Sequence, residues 1–230
     1  MSSHVALYSV HEDFLLEMVG ILDLAAVAVY AITGALIAAR REMDWLGFVV
    51  VGVVTGVGGG TLRDVSLGVQ PVFWVTDPNY VIICIFAAIL TYWMVRCIES
   101  RYQALLWADS IGLSLYCVIG AFKAELFDAA PIVSIMMGVM TATFGGLMRD
   151  IMCGERSLLF KPEVYATAAL VGSLVFVASG HMNVPLELRA VAGFCAAFFL
   201  RAGAIRWGWA LPRYRHPSRS VSGDVSAPRN

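Results

Sequence analysis

Gly52-Val53-Val54-Thr55-Gly56-Val57-Gly58-Gly59-Gly60-Thr61-Leu62-Arg63-Asp64 occurs twice in this chain. The second copy is Gly138-Val139-Met140-Thr141-Ala142-Thr143-Phe144-Gly145-Gly146-Leu147-Met148-Arg149-Asp150, and each residue lies 86 positions after its counterpart without a gap. The register continues outward. Asp23 meets Asp109, Tyr30 meets Tyr116, Gly34-Ala35 meets Gly120-Ala121, and Gly68 meets Gly154. An ungapped match in Gly, Arg and Asp as well as in apolar residues reads as a duplicated unit.

The residues around the repeat are those of an integral membrane protein. Of 230 residues, 59% are hydrophobic and 14% charged, against about 25% charged in a soluble domain. Mean hydropathy is +0.76. Seven apolar runs follow one another: 18–39, 45–63, 78–98, 104–122, 131–149, 162–180 and 186–207. Each is near the ~20 residues that cross ~30 Å of hydrocarbon as a helix, and a bilayer obliges each to satisfy its backbone internally. Pro78 and Pro162 stand at the starts of the third and sixth runs, where a missing N–H costs nothing. The expected fold is therefore all-α, with seven transmembrane helices.

Residues 1–17 form a polar arm without Lys or Arg, which does not read as a cleavable signal. Residues 212–230 are rich in Arg, Ser and Pro and read as a disordered tail. The first repeat covers 18–98, the second 104–180, and the run at 186–207 stands outside both. A three-span unit leaves its successor facing the other way, so the two units are expected to be inverted repeats. Of 16 Lys and Arg, all but Arg63, Lys123 and Arg189 fall on one side of this topology. The positive-inside rule makes that side cytoplasmic, with the N-terminus outside and the C-terminus inside a cell's inner (plasma) membrane.

Several function classes are excluded by what the chain carries. A net charge of −1 and the lack of a basic stripe outside the tail give no nucleic-acid partner. The five cysteines lie in or beside apolar runs without metal-ligand spacing, so neither cofactor nor resident metal is expected. No nucleophile, base and orienter form a recognisable set, so no enzyme is expected; Ser110, His181 and Asp109 fit no catalytic motif.

The repeated stretch suggests a path for ions. Gly52, Gly56 and Gly60 are spaced by four, as are Gly138, Ala142 and Gly146, and both sets form small-residue faces. Gly58-Gly59-Gly60 is more than packing needs. Each glycine costs about 1 kcal/mol against Ala in a helix, so a break or kink is expected there and again at Gly145-Gly146. Carbonyls freed in a membrane must face protein or water, and facing water they are cation ligands. Thr55, Thr61, Thr141, Tyr30 and Tyr116 add polar groups to the same helices. Arg63-Asp64 and Arg149-Asp150 end the second and fifth spans. The inverted register brings each near the start of a neighbouring span, giving expected mouth pairs Asp23–Arg63 and Asp109–Arg149. Lys123 breaks the symmetry, since Ile37 is its counterpart, and is a candidate field-sensing charge. Phe73-Trp74 and Trp207-Gly208-Trp209 read as interface anchors.

The doubled Gly-Gly-x-x-Arg-Asp, at 59–64 and 145–150, resembles the prokaryotic branch of the TRIC (trimeric intracellular cation) channels, also labelled a glycine-transporter membrane domain. The resemblance covers roughly residues 18–207. It implies a homotrimer with one pore per protomer, between the first, second, fourth and fifth spans, with the glycine-broken spans at its centre. It implies conduction of monovalent cations, mainly K⁺ with Na⁺ also entering. Animal members carry a basic residue before the second glycine pair, where this chain has Thr141-Ala142-Thr143-Phe144. Two other readings remain open on the residues: a secondary transporter of a small solute such as an amino acid, which uses the same architecture, and a non-conducting scaffold.

Overall fold

The structure, a computed structural model, describes residues 2–98, 100–155, 157–158 and 164–210, with side chains from Val19 onward. Pro162 and the tail at 212–230 lie outside the described residues. The chain is all-helical: α1 (Ser2–Arg40), α2 (Trp45–Ser66), α3 (Phe73–Thr76), α4 (Asn79–Met94), α5 (Arg101–Leu126), α6 (Pro131–Met152), α7 (Ala166–His181) and α8 (Leu186–Trp207). Among the described residues, six helical segments are long and apolar enough to cross a membrane: Val19–Arg40, Trp45–Ser66, Asn79–Cys97, Arg101–Leu126, Pro131–Met152 and Leu186–Trp207. The sixth expected span is shorter. Ala166–His181 has 16 residues and covers only about 24 Å. The polar arm is not separate, because α1 begins at Ser2 and continues into the first span.

Local chemistry sets the helix ends. The Asp44 carboxylate accepts from the Gly47 N–H at 2.8 Å and starts α2. Pro131 opens α6 at a position that needs no N–H donor. The repeat shows in the two C-terminal ends. Gly68 and Gly154 both turn left-handed, at φ 72° and 60°. Each lets the next N–H reach back, Val69 to the Asp64 carbonyl and Glu155 to the Asp150 carbonyl.

Helix packing follows the same register. In the first unit α1 packs on α2 and α4, and α2 on α4; in the second α5 packs on α6 and α7, and α6 on α7. The units meet where α1 lies on α5 and α2 on α6. α8 stands outside both units and packs on α7 and α5.

No break interrupts α2 or α6, which remain helical through Gly58–Gly60 and Gly145–Gly146. Gly59 and Gly145 permit close approach of α2 and α6, which offsets the helix propensity they lose.

Candidate functional site

Gly59 decides how closely α2 and α6 approach. A β-carbon there would collide with the Thr141 carbonyl. Reciprocally, a β-carbon on Gly145 would lie 2.5 Å from the Thr55 carbonyl oxygen. These four positions exchange at the 86-residue offset, as a two-fold relation demands. Gly34 and Gly120 repeat the device one layer out, where β-carbons would lie 2.7 Å from Thr55 Oγ1 and 2.6 Å from Thr141 Oγ1. Gly58 is looser, with the Gly145 α-carbon 3.8 Å away.

Two tyrosines fill the crossing. The Tyr30 hydroxyl donates to the Ala142 carbonyl, and the Tyr116 hydroxyl donates to the Gly56 carbonyl at 2.9 Å. Their rings lie 5.1 Å apart, and both are buried. The threonines are already engaged within their own helices: Thr55 donates to the Val51 carbonyl and Thr141 to the Met137 carbonyl, each at 2.6 Å. Thr61 donates to the Val57 carbonyl at 2.8 Å and accepts from Trp74 Nε1 at 3.0 Å.

A buried charge cluster lies at each end of the crossing. At one end Arg149 donates to Asp109 Oδ1 at 2.7 Å, to Asp150 Oδ1 at 2.9 Å and to Thr33 Oγ1 at 2.9 Å. Asp150 Oδ2 accepts from the Leu158 N–H. Arg149 and Asp109 are both 0% exposed, and the expected pair is present. At the other end Arg63 is held by its own neighbour, Asp64 Oδ1, at 2.7 and 2.8 Å, while Asp64 Oδ2 accepts from the Phe73 N–H.

The expected Asp23–Arg63 pair is absent. Asp23 Oδ2 accepts from Lys123 Nζ at 2.6 Å and from the Tyr80 hydroxyl at 3.4 Å. The difference is Lys123, which the last turn of α5 brings to the start of the first span, Val19–Arg40. At the Asp109 end its counterpart is Ile37, so Arg149 meets the aspartate unopposed. Arg63 is 0% and Asp23 1% exposed, so these carboxylate and guanidinium groups are enclosed, whereas the Lys123 side chain is 23% exposed. Lys123 is therefore a structural partner of Asp23 in this state.

Phe73 was read as an interface anchor and is instead part of the site. Its ring covers Gly60, where a β-carbon would lie 2.6 Å from Phe73 Cε1. Arg63 and Lys123 each lie 5.5 Å from the ring centroid. The corresponding place at Gly146 is taken by Tyr165, whose hydroxyl would lie 2.8 Å from a β-carbon there. Arg201 of α8, also 0% exposed, lies 5.2 Å from the Tyr165 centroid. Sequence reasoning missed Thr33, Phe73, Tyr80, Tyr165 and Arg201 as site residues. Only Arg201 carried a signal, a charge within an apolar run.

The new pairing predicts a double-mutant result. A thermal-stability cycle on Asp23→Asn and Lys123→Met should show coupling of about 1 kcal/mol or more, and one on Asp23→Asn and Arg63→Gln less than about 0.5 kcal/mol. The reverse order would restore the pairing expected from the repeat.

Comparison with known proteins places this geometry. The family model described as Glycine transporter matches the chain twice, at residues 20–96 and 106–181, the two units of the repeat. The UPF0126 inner membrane protein YadS of Escherichia coli K12 is 38% identical over 195 residues, covering 84% of this chain and 94% of that protein. A UPF0126 membrane protein of Vibrio cholerae is 36% identical over 199 residues, covering 84% and 82%. Among solved structures, the TRIC trimeric intracellular cation channel orthologue from Rhodobacter sphaeroides is 48% identical with a TM-score of 0.82, covering 84% of this chain and 99% of that one. A second TRIC cation channel, solved to explain conductance, is 32% identical with a TM-score of 0.77, covering 86% and 97%.

Proposed function

The chain belongs to the TRIC channel family, that of the Glycine transporter family model, and from this premise we propose that it is a cation channel of the inner membrane. The reading is of a monovalent, K⁺-permeable channel with one path per protomer, assembled as a homotrimer. Seven spans cross the membrane, α7 as the shortest, and the two units lie in inverted orientation. The N-terminus is outside and the Asp109 end faces the cytoplasm.

One observation carries the proposal. Two clusters of acidic and basic side chains stand at opposite ends of the same four helices, α1, α2, α5 and α6, each with its aspartates and its arginine buried. Ionisable groups inside a membrane protein are costly and mark ion pathways. Between the clusters, the carbonyls of Gly56 and Ala142 accept the Tyr116 and Tyr30 hydroxyls. In an open state, separation of the tyrosines would offer those carbonyls to a partly dehydrated cation.

The described state reads as closed. Phe73 covers Gly60, Tyr165 adjoins Gly146, and ion pairs bind neighbouring helices at both ends. Opening would then require α2 and α6 to bend at Gly58–Gly60 and Gly145–Gly146, where no side chain resists a change of backbone. Tyr30, Tyr116, Thr55, Thr61 and Thr141 would border the path. Asp23, Asp64, Asp109 and Asp150 would raise cation concentration at its ends once their partners move.

The test is planar-bilayer recording of purified protein under a K⁺/Na⁺ gradient. Discrete current steps with a reversal potential set by cations are expected. Slow, saturating flux without steps would replace this reading with a small-solute transporter.

A further inference from the structure

The repeat makes two seams between the units equivalent, α1 on α6 and α5 on α2. One link is common to both. Tyr30 of α1 donates to the Ala142 carbonyl of α6, and Tyr116 of α5 donates to the Gly56 carbonyl of α2. Beyond that link the seams diverge, and α1 packs on α6 more extensively than α5 on α2.

One turn further along α1, Thr33 Oγ1 accepts from Arg149 Nη1 of α6 at 2.9 Å and donates to the Tyr30 carbonyl at 2.8 Å. Arg149 Nη1 also binds Asp109 Oδ1 at 2.7 Å. A single hydroxyl therefore ties the Asp109 cluster to the residue whose side chain closes the crossing. Thr33 and Arg149 are both 0% exposed, and enclosure strengthens a charge-assisted hydrogen bond. Just past the end of α1, Arg41 Nη2 donates to the Gly154 carbonyl at 2.7 Å, and Arg41 Nε lies 3.4 Å from Glu155 Oε1.

The repeat counterparts cannot form these links. Ile119 stands for Thr33, Phe127 for Arg41 and Val69 for Glu155. A hydroxyl, a guanidinium and a carboxylate are replaced by three apolar side chains. Arg63, the counterpart of Arg149, turns to its neighbour Asp64, and its Nη1 has no hydrogen-bond partner among the described residues. The α1–α6 seam thus carries polar links at three levels, and at two of these levels the α5–α2 seam has apolar side chains.

We propose that Thr33 is a positioning residue that couples the Asp109 cluster to the Tyr30 latch, and that with Arg41 it makes the α1–α6 seam the firmer of the two. The inference rests on the channel reading above. The two halves of the path then yield unequally: the Tyr116 link parts while Arg149 still holds α1 against α6.

Single-channel recording in symmetric KCl reads the ratio of open to closed time. Thr33→Val keeps the shape of the side chain and removes its hydroxyl, while Arg149 keeps Asp109 and Asp150. The ratio should rise about ten-fold, the size of one hydrogen bond to a charged group, and Thr33→Ser should stay within about two-fold of wild type. On a Tyr30→Phe background the Thr33→Val effect should shrink by about three-fold or more, because both changes act on one seam; on a Tyr116→Phe background the effects should multiply. Arg41→Gln should raise the ratio by less, since its side chain is 41% exposed. A hydroxyl that only packs within α1 would change thermal stability without this selective coupling. An unchanged ratio in Thr33→Val, equal behaviour of Thr33→Ser and Thr33→Val, or equal coupling to both tyrosines would each overturn the proposal. Should Thr33→Val not assemble, Thr33→Ala replaces it under the same criteria. A wild type without current steps would overturn the channel reading itself.

Discussion

Arg149→Gln should be among the most damaging single substitutions in this chain, lowering stability by about 3–5 kcal/mol. Arg149 satisfies Asp109, Asp150 and Thr33 at once. Without the guanidinium, Asp109 is left fully enclosed, with no other cation bonded to it among the described residues. Asp150 keeps only the Leu158 N–H. The formally equivalent Arg63→Gln should cost clearly less. It frees Asp64, which still accepts from the Phe73 N–H, and it leaves Asp23 with Lys123. Thermal unfolding of both variants in mild detergent measures the difference. Equal losses would mean that the two ends are energetically alike and that the asymmetric pairing has no consequence.

Gly59→Ala should also be severe for one added carbon, at about 1–3 kcal/mol for overpacking. The obstacle is the Thr141 backbone carbonyl, which cannot rotate away as a side-chain tip would. Relief requires α2 and α6 to separate along the crossing, which also pulls Tyr116 from the Gly56 carbonyl. Gly58→Ala is the control. Its β-carbon meets only ordinary contacts at 3.8 and 3.9 Å, and alanine's better helix propensity favours it by up to about 1 kcal/mol. A stability scan of Gly58→Ala, Gly59→Ala and Gly145→Ala should therefore show Gly58→Ala neutral or improved and the other two damaged. If all three behave alike, the glycines serve backbone bending and not the crossing.

Much of this architecture was legible in the residues. The 86-residue register, the apolar runs and the doubled Arg-Asp required an all-helical membrane protein of two related units. They also located Asp109 with Arg149, because the position that Lys123 holds at the Asp23 end is Ile37 there, which offers no competing charge. The expectation of a break or kink at Gly58-Gly59-Gly60 rests on propensity alone. Propensity records what a glycine costs its own helix, whereas the compensating contact with Thr141 belongs to another helix 82 positions away.

What only the tertiary structure decided is where the repeat stops being symmetric. Composition shows that Lys123 faces Ile37 in register, but not that the Lys123 ammonium reaches Asp23 at 2.6 Å before Arg63 can. It shows Arg201 within an apolar run, but not that α8 folds back onto α7 and α5 and brings that charge to the ring of Tyr165. Periodicity and hydropathy act along the chain and are set residue by residue. Ion pairing falls off over a few ångströms of space, so the choice among several available partners is made only when the helices pack.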